Sequence, residues 1–379
     1  MTRQPVRLCF LIRQMNEGGA QRQLIELIKG LDPLKYAITI VSFYSGGRFS
    51  AELEQLTHVK HISLAKQGRW EIAGFAYRLV STMRRLRPRV LHGYLPVANV
   101  LCITLKPFLP GTRVLWGIRA SVVDWAQYHR LDRVLFQLQQ LLARFVDRIV
   151  VNSYAGRDYH VARGFPRDKI VVIPNGIDTD VFIPNPEERA HVRAEWGVAK
   201  DETLIGLVGR LHPMKDHRTF IRAAAKLSGM HGRVRFACIG DGPSEYRREL
   251  LELSGQLGLT EQVIWESARG DMPSVYNALD IATSSSYGEG FPNVVGEAMA
   301  CKVPCVVTDV GDSAIIVGDT GFVVPPRDPD ALAEGWERML ARLASEGTRL
   351  GEKVRSRIVK EFNRDMLAKR TSEILESVL

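Results

Sequence analysis

Short apolar runs alternate with amphipathic stretches along almost the whole chain. Residues 6–12 (VRLCFLI) form one such run, a Gly18-Gly19 pair follows, and Leu24, Leu27, Ile28 and Leu31 then recur at helical spacing. This pattern predicts a strand, a glycine turn and a helix. Apolar runs predict further strands at 37–42, 59–64, 89–92, 112–117, 148–152 and 169–173, separated mostly by helical patterns. Strands that alternate with helices build a parallel sheet covered on both faces. From Pro174 to about Lys200 the alternation gives way to turn chemistry (PNGID, then IPNPEE), which marks a linker between domains. It then resumes, with strands expected at 203–208, 234–239, 263–265, 281–283, 303–308 and 321–324. Val354, Ile358, Phe362, Leu367, Ile374 and Leu375 predict a helix over the tail that packs across the domains. The expected architecture is α/β, with two doubly wound Rossmann-like domains at 1–180 and 181–351 and a C-terminal helix at 352–379. Such domains facing one another present the carboxyl ends of their sheets to a shared cleft, where ligands of this architecture bind.

Composition narrows the class. The 379 residues are 45% apolar and 25% charged, as in a globular chain long enough for two domains. No apolar run approaches the roughly 20 residues of a membrane-spanning helix. The first run is broken by Arg7 and followed by Arg13 without a cleavage site, so a cytoplasmic protein is expected. Five cysteines without a Cys-x-x-Cys pair read as buried, reduced thiols. The net charge of +9 is unevenly placed: residues 1–180 hold 26 Lys and Arg against 13 Asp and Glu, leaving 25 against 29 for the remainder. The two halves therefore suit different partners.

The segment most informative about chemistry is 284–305, SSSYGEGFPNVVGEAMACKVPC. Glu289 stands between Gly288 and Gly290 in a loop, Pro292 suits the first turn of a helix, and Glu297 lies about one turn into it. A helix N-terminus favours an anion, and two carboxylates beside it accept hydrogen bonds from vicinal hydroxyls, which together fit a phosphorylated sugar or nucleoside. Gly209-Arg210-Leu211, ending the run TLIGLVG, is followed by Lys215. Arg210 offers a planar fork for phosphate and Lys215 a compact cation.

These residues resemble the retaining glycosyltransferases of family 4, which have the two-domain GT-B fold, and the resemblance covers nearly the whole chain. It implies that Glu297 holds the donor ribose, that Glu289 contacts the donor hexose, and that Arg210 and Lys215 neutralise the departing diphosphate. Gly290, Phe291, Pro292 and Asn293 would surround the donor, which needs no bound metal ion and no cofactor beyond the nucleotide sugar. Arg269, in SARGDMP, falls in the loop that cradles the base in the family, with Gly270 departing from the usual pattern. Gly18 and Gly19 resemble the family's N-domain glycine loop. His92, in VLHGYLP, aligns with the first histidine of the family's His-x-His, while Tyr94 stands at the second. The sugar contact is thus left to His92 or Tyr94, and Arg119, at the end of another strand, is a further sugar or acceptor candidate.

The sequence reads as a hexosyltransferase that uses a nucleoside diphosphate sugar and a hydroxyl acceptor, with retention at the anomeric carbon. The resemblance to enzymes of bacterial surface polysaccharides, lipopolysaccharide included, implies a lipid-linked or polysaccharide acceptor. An epimerase of the same architecture and a non-catalytic nucleotide-sugar binder are the alternatives. Arg84, Arg85, Arg87 and Arg89, with the mixed apolar and basic stretch 125–148, suggest peripheral contact with an anionic membrane. No nucleic-acid-reading motif accompanies the charge.

Overall fold

The computed structural model describes residues 4–16, 18–119 and 130–379. The chain divides into one unit formed by Met1–Gly176 with Arg364–Leu379 and a second formed by Ile177–Asn363.

The first unit carries strands β1 (Val6–Ile12), β2 (Tyr36–Ser42), β3 (Val59–Ser63), β4 (Val90–Tyr94), β5 (Arg113–Ile118), β6 (Arg148–Val151) and β7 (Ile170–Val172). They form one parallel sheet in the order β3-β2-β1-β4-β5-β6-β7. The last five residues of β1 are all buried, because helices cover both faces of the sheet and no side of the strand meets water. One face packs into a cluster around Phe10, Leu24 and Tyr94, the other into a cluster around Leu11, Met83 and Trp116.

The second unit contains β8 (Thr203–Val208), β9 (Val234–Ile239), β10 (Val263–Glu266), β11 (Ile281–Ser284), β12 (Cys305–Thr308) and β13 (Phe322–Val324). Its sheet is also parallel, in the order β10-β9-β8-β11-β12-β13. Phe220 packs edge to face on Phe236 and Trp336, which are tilted against each other in the core, and Trp336 Nε1 donates to Thr283 Oγ1 at 3.0 Å, so the buried indole keeps a partner.

Every expected strand is present within a residue or two, but the boundaries differ. The division expected at 180/181 falls at 176/177. The tail expected as a single helix over 352–379 is two helices, Thr348–Glu361 and Arg364–Ser377. The break comes where the Phe362 carbonyl leaves the helical pattern to accept from Ile177 N–H at 2.8 Å, next to a bridge between Ile177 and Asn363. The first of these helices then belongs to the second unit, and the other packs on helix Gly19–Gly30 of the first. All five cysteines are buried and unbridged; burial pushes the Cys9 and Cys301 thiols up to about 12. No helix among the described residues is long and apolar enough to cross a membrane.

Candidate functional site

In the second sheet β8 lies between β9 and β11, so the chain leaves β8 toward one side while β11 continues the sheet on the other. Ligands of open parallel sheets bind outside the carboxyl ends of strands at such a reversal. Two loops meet there, 209–216 after β8 and 285–292 after β11. Ser285 Oγ donates to the carbonyls of Lys215 and Asp216 at 2.9 and 3.1 Å, and Tyr287 N–H donates to Met214 O at 3.0 Å. Asp216 sits at φ +50°, a left-handed conformation uncommon outside glycine, asparagine and aspartate. Its carboxylate caps helix His217–Met230 by accepting from Thr219 N–H at 3.2 Å and Thr219 Oγ1 at 2.7 Å. The sharp turn at Asp216 therefore fixes the residue before it, Lys215.

Lys215 Nζ forms an ion pair with Glu289 Oε1 across 74 residues of sequence, and Ser286 Oγ donates to the same oxygen at 2.7 Å. The two charged side chains are only 19% and 10% exposed, so water screens this pair weakly. Arg210 is exposed and has no hydrogen bond or ion pair among the described residues. His212 Nδ1 accepts from Met214 N–H at 3.2 Å. Partial burial, then the charges of Arg210 and Lys215, lower the pKa of His212. With Glu289 already neutralised by Lys215, the loop presents one unspent cation.

Two tight backbone approaches shape this floor. Gly240 lies at φ +144°, and a Cβ there would fall 2.2 Å from Gly209 O. Gly311, at φ +58°, would place a Cβ 2.5 Å from Gly290 O, while Asp312 N–H donates to that same carbonyl at 2.8 Å. Only glycine meets both demands at either position.

Helix Asn293–Ala300 begins immediately after Pro292, so its first N–H groups open at the carboxyl end of β11. Phe291 is buried against Phe362, with ring centroids 5.6 Å apart. Glu297 Oε2 accepts from Tyr276 OH at 2.8 Å, and burial together with the Glu297 charge raises the tyrosine pKa. Arg269 is committed to protein carboxylates: it pairs with Asp271 at 2.7 Å and Glu195 at 2.6 Å. Hydrogen bonds to these carboxylates raise its pKa, and its guanidinium offers a ligand little unspent charge.

The first sheet has its own reversal, at β1 and β4. Gly18 lies just before helix Gly19–Gly30, as the sequence predicts. His92 is buried beside Tyr94. It is 1% exposed, its ring stacks with Phe10 and Tyr94 at 5.4 and 5.1 Å, and neither ring nitrogen has a hydrogen-bond partner. Burial, then the Arg119 charge, lowers its pKa to about 3, so the ring is neutral near pH 7. Tyr94 is also buried; its hydroxyl accepts from Arg119 Nη2 at 2.6 Å, with the guanidinium 4.8 Å from the ring centroid. Arg119 Nη1 donates to Asn175 Oδ1 at 3.0 Å. Leu95, which follows Tyr94, is held at φ +74°, a costly conformation for a branched side chain.

Sequence reasoning passed over Ser286, Asp216, Tyr276 and Gly240. The Asp216-x-x-Thr219 spacing is a readable helix-cap signal, and Gly240-Asp241-Gly242 follows a strand directly; nothing local marks Ser286 or Tyr276.

Two family models match the chain: Glycosyltransferase Family 4 over residues 17–181 and Glycosyl transferases group 1 over residues 202–342. The D-inositol 3-phosphate glycosyltransferase of Mycobacteroides abscessus is 32% identical over 209 residues, covering 54% of this chain and 46% of that protein. Putative glycosyltransferase EpsF of Bacillus subtilis is 28% identical over 218 residues, covering 58% and 56%. The chain spans about half the length of the curated relatives it matches. Among solved structures, Anabaena HepE in complex with UDP-glucose superposes with a TM-score of 0.83 over 98% of this chain and 99% of that one, at 23% identity. The fold is accordingly that of the GT-B glycosyltransferases, two Rossmann-like units with parallel sheets.

Proposed function

We propose that this chain, both halves of which match glycosyltransferase families, transfers a hexose from a nucleoside diphosphate sugar to a hydroxyl acceptor with retention at the anomeric carbon. One observation carries the reading. At the reversal of the second sheet, the Lys215–Glu289 pair stands in the loops that also hold the unpartnered Arg210 and the start of helix Asn293–Ala300. In this reading Arg210, Lys215 and the first-turn amides of that helix stabilise the negative charge that grows on the leaving diphosphate. Glu289, aligned by Lys215 and Ser286, takes hydroxyls of the hexose, and Glu297, steadied by Tyr276, takes those of the ribose. As the anomeric carbon–oxygen bond breaks, the acceptor oxygen attacks from the same face and its proton passes to the departing phosphate. The second unit holds the donor, and the first receives the acceptor. The unspent charge of Arg210 and a helix N-terminus, with Lys215 shared between Glu289 and the diphosphate, supply the countercharge that a metal ion supplies elsewhere.

A lipid-linked acceptor of the surface-polysaccharide kind also has support. Leu131, Val134, Leu138, Leu141 and Phe145 are exposed at 38% or more along and just beyond helix Arg130–Leu142, with Arg133 and Arg144 beside them. An apolar row flanked by arginines suits the headgroup region of an anionic leaflet. Trp125 and Tyr128, expected to join it, lie outside the described residues.

The test incubates the full chain with UDP-, GDP- and ADP-hexoses in the presence of a chelator and detects free nucleotide and the product anomer. Release of one nucleotide with a product that keeps the donor's configuration supports the reading. No release with any donor would leave a binding protein, and an isomerised free donor would make the chain an epimerase.

A further inference from the structure

At the opposite end of the first sheet, where the strands begin, a cavity of about 480 Å³ opens between helix Ala73–Leu86 and the starts of β1, β4 and β5. Ligand pockets commonly fall in this size range. Its wall includes Arg7, Arg84, Arg87 and Arg89, together with Phe108 and Thr112, and no Asp or Glu. None of the four arginines forms an ion pair among the described residues. Arg7 Nε donates to Arg87 O at 2.8 Å, which leaves its two terminal nitrogens unengaged. Arg89 donates one terminal nitrogen to Leu379 O at 3.3 Å, and the guanidiniums of Arg84 and Arg87 donate no hydrogen bond. Asp147, near the start of β6, is taken by Arg113, Lys106 and the Val114 amide instead.

Ordinary surface chemistry explains part of this arrangement. Arginines in the last turn of a helix favour the helix dipole, which covers Arg84 and Arg85. It does not cover Arg7 and Arg89, which come from the strand side. Nor does it account for Arg87, which occupies the left-handed C-cap at φ +44°. Glycine or asparagine usually fills that position, and other residues adopt it only with backbone strain. A large cation is thus held where the backbone favours a small residue, facing three others of like charge. Beside them Arg84 lies 5.4 Å from the Phe108 ring centroid, which gives the cavity one flat apolar wall.

We infer that this cavity is a binding site for a small phosphorylated ligand, held by the guanidinium forks of Arg7, Arg84, Arg87 and Arg89 against Phe108. Guanidinium binds phosphate oxygens bidentately, and an anion relieves the repulsion among the four cations. The seven-residue strand β1 separates the cavity from the carboxyl ends of the sheet by roughly 20 Å. The cavity is lined by residues of the first unit, whereas the loop that holds Arg210 and Lys215 belongs to the second.

Pyrophosphate is the probe, titrated calorimetrically into the full chain carrying Arg210→Gln and Lys215→Gln, so that the other cationic loop does not contribute. Saturable one-to-one binding is expected. In that background Arg84→Gln with Arg87→Gln should weaken binding at least tenfold, whereas Arg85→Gln should change it less than threefold, because Arg85 is exposed but does not line the cavity. A second arm adds phosphatidylglycerol vesicles. If the pyrophosphate isotherm is unchanged, the site takes a soluble phosphorylated ligand; if vesicles compete and the paired substitution abolishes the competition, it takes a lipid phosphate headgroup. Absence of saturable binding, or equal weakening by Arg85→Gln, would overturn the inference and leave only diffuse positive charge.

Discussion

Replacing Lys215 by alanine separates a catalytic role of the Lys215–Glu289 pair from a structural one. The substitution leaves the Glu289 carboxylate, 10% exposed, with Ser286 Oγ as its remaining side-chain hydrogen-bond donor among the described residues. Removing one partner of a buried pair costs about 3–5 kcal/mol because the other charge stays desolvated. The Lys215 side chain retains 19% exposure, so the lower part of that range, about 3 kcal/mol, applies here. Removing Glu289 as well deletes the stranded charge, and Lys215→Ala/Glu289→Ala should recover about 1–2 kcal/mol of the loss, a coupling of the size seen between contacting residues. Turnover should behave differently. If Lys215 stabilises charge on the departing diphosphate, its loss lowers turnover roughly 100- to 1,000-fold, and the double variant regains none of it. Urea unfolding supplies the stability and single-turnover nucleotide release supplies the rate. Recovery of turnover in step with stability in the double variant would refute the catalytic assignment and reduce the pair to a brace between two loops.

Glu297→Ala should weaken donor binding by roughly 1–3 kcal/mol through lost ribose hydrogen bonds, while Tyr276→Phe should cost only about 0.5–1.5 kcal/mol; donor titration by calorimetry compares the two, and equal affinities in both variants and wild type would place the ribose elsewhere. Gly311→Ala forces a Cβ to within 2.5 Å of Gly290 O and should displace the Glu289 loop, lowering donor affinity at least tenfold while far-ultraviolet circular dichroism stays unchanged; unaltered affinity would detach Gly311 from the site. His217 is buried without a partner for either ring nitrogen, and its pKa is lowered to about 3 by burial and then by Lys215. The unfolded chain takes up that proton near pH 6.5. The neutral ring's contribution is thus complete above pH 6.5 and falls by about 1.4 kcal/mol per pH unit as the pH drops from there toward 3. His217→Phe should flatten the urea stability profile between pH 6 and 4 by that amount, and an unchanged slope would show that the ring is protonated in the folded state.

The sequence by itself determined what depends on neighbours along the chain. Apolar runs marked the thirteen strands of the described residues, most plainly the interior ones such as β1, β4 and β8, because a strand buried on both faces must be apolar over its length. Gly288, Gly290 and Pro292 set the change from loop to helix, since they restrict or release the backbone locally. The positions of Arg210, Lys215, Glu289 and Glu297 relative to strand ends were legible for the same reason.

Tertiary structure decided which of these residues meet. Lys215 and Glu289 touch only because β8 and β11 are neighbours although two strands intervene in sequence, and no local signal states that order. His92 and Arg269 read as site residues from their place at strand ends and in a loop. Packing against Phe10 and Tyr94 buried the histidine, and Glu195 from a distant helix joined the neighbouring Asp271 in taking up the arginine's charge. The tail has helical periodicity throughout, yet it breaks where the Phe362 carbonyl bonds the Ile177 amide, a partner nearly the whole second unit away. The four arginines of the distal cavity come from a strand, a helix, its cap and a second strand edge. Periodicity records what each segment buries, whereas the meeting of distant charges depends on sheet order and on helix placement, which only the folded chain fixes.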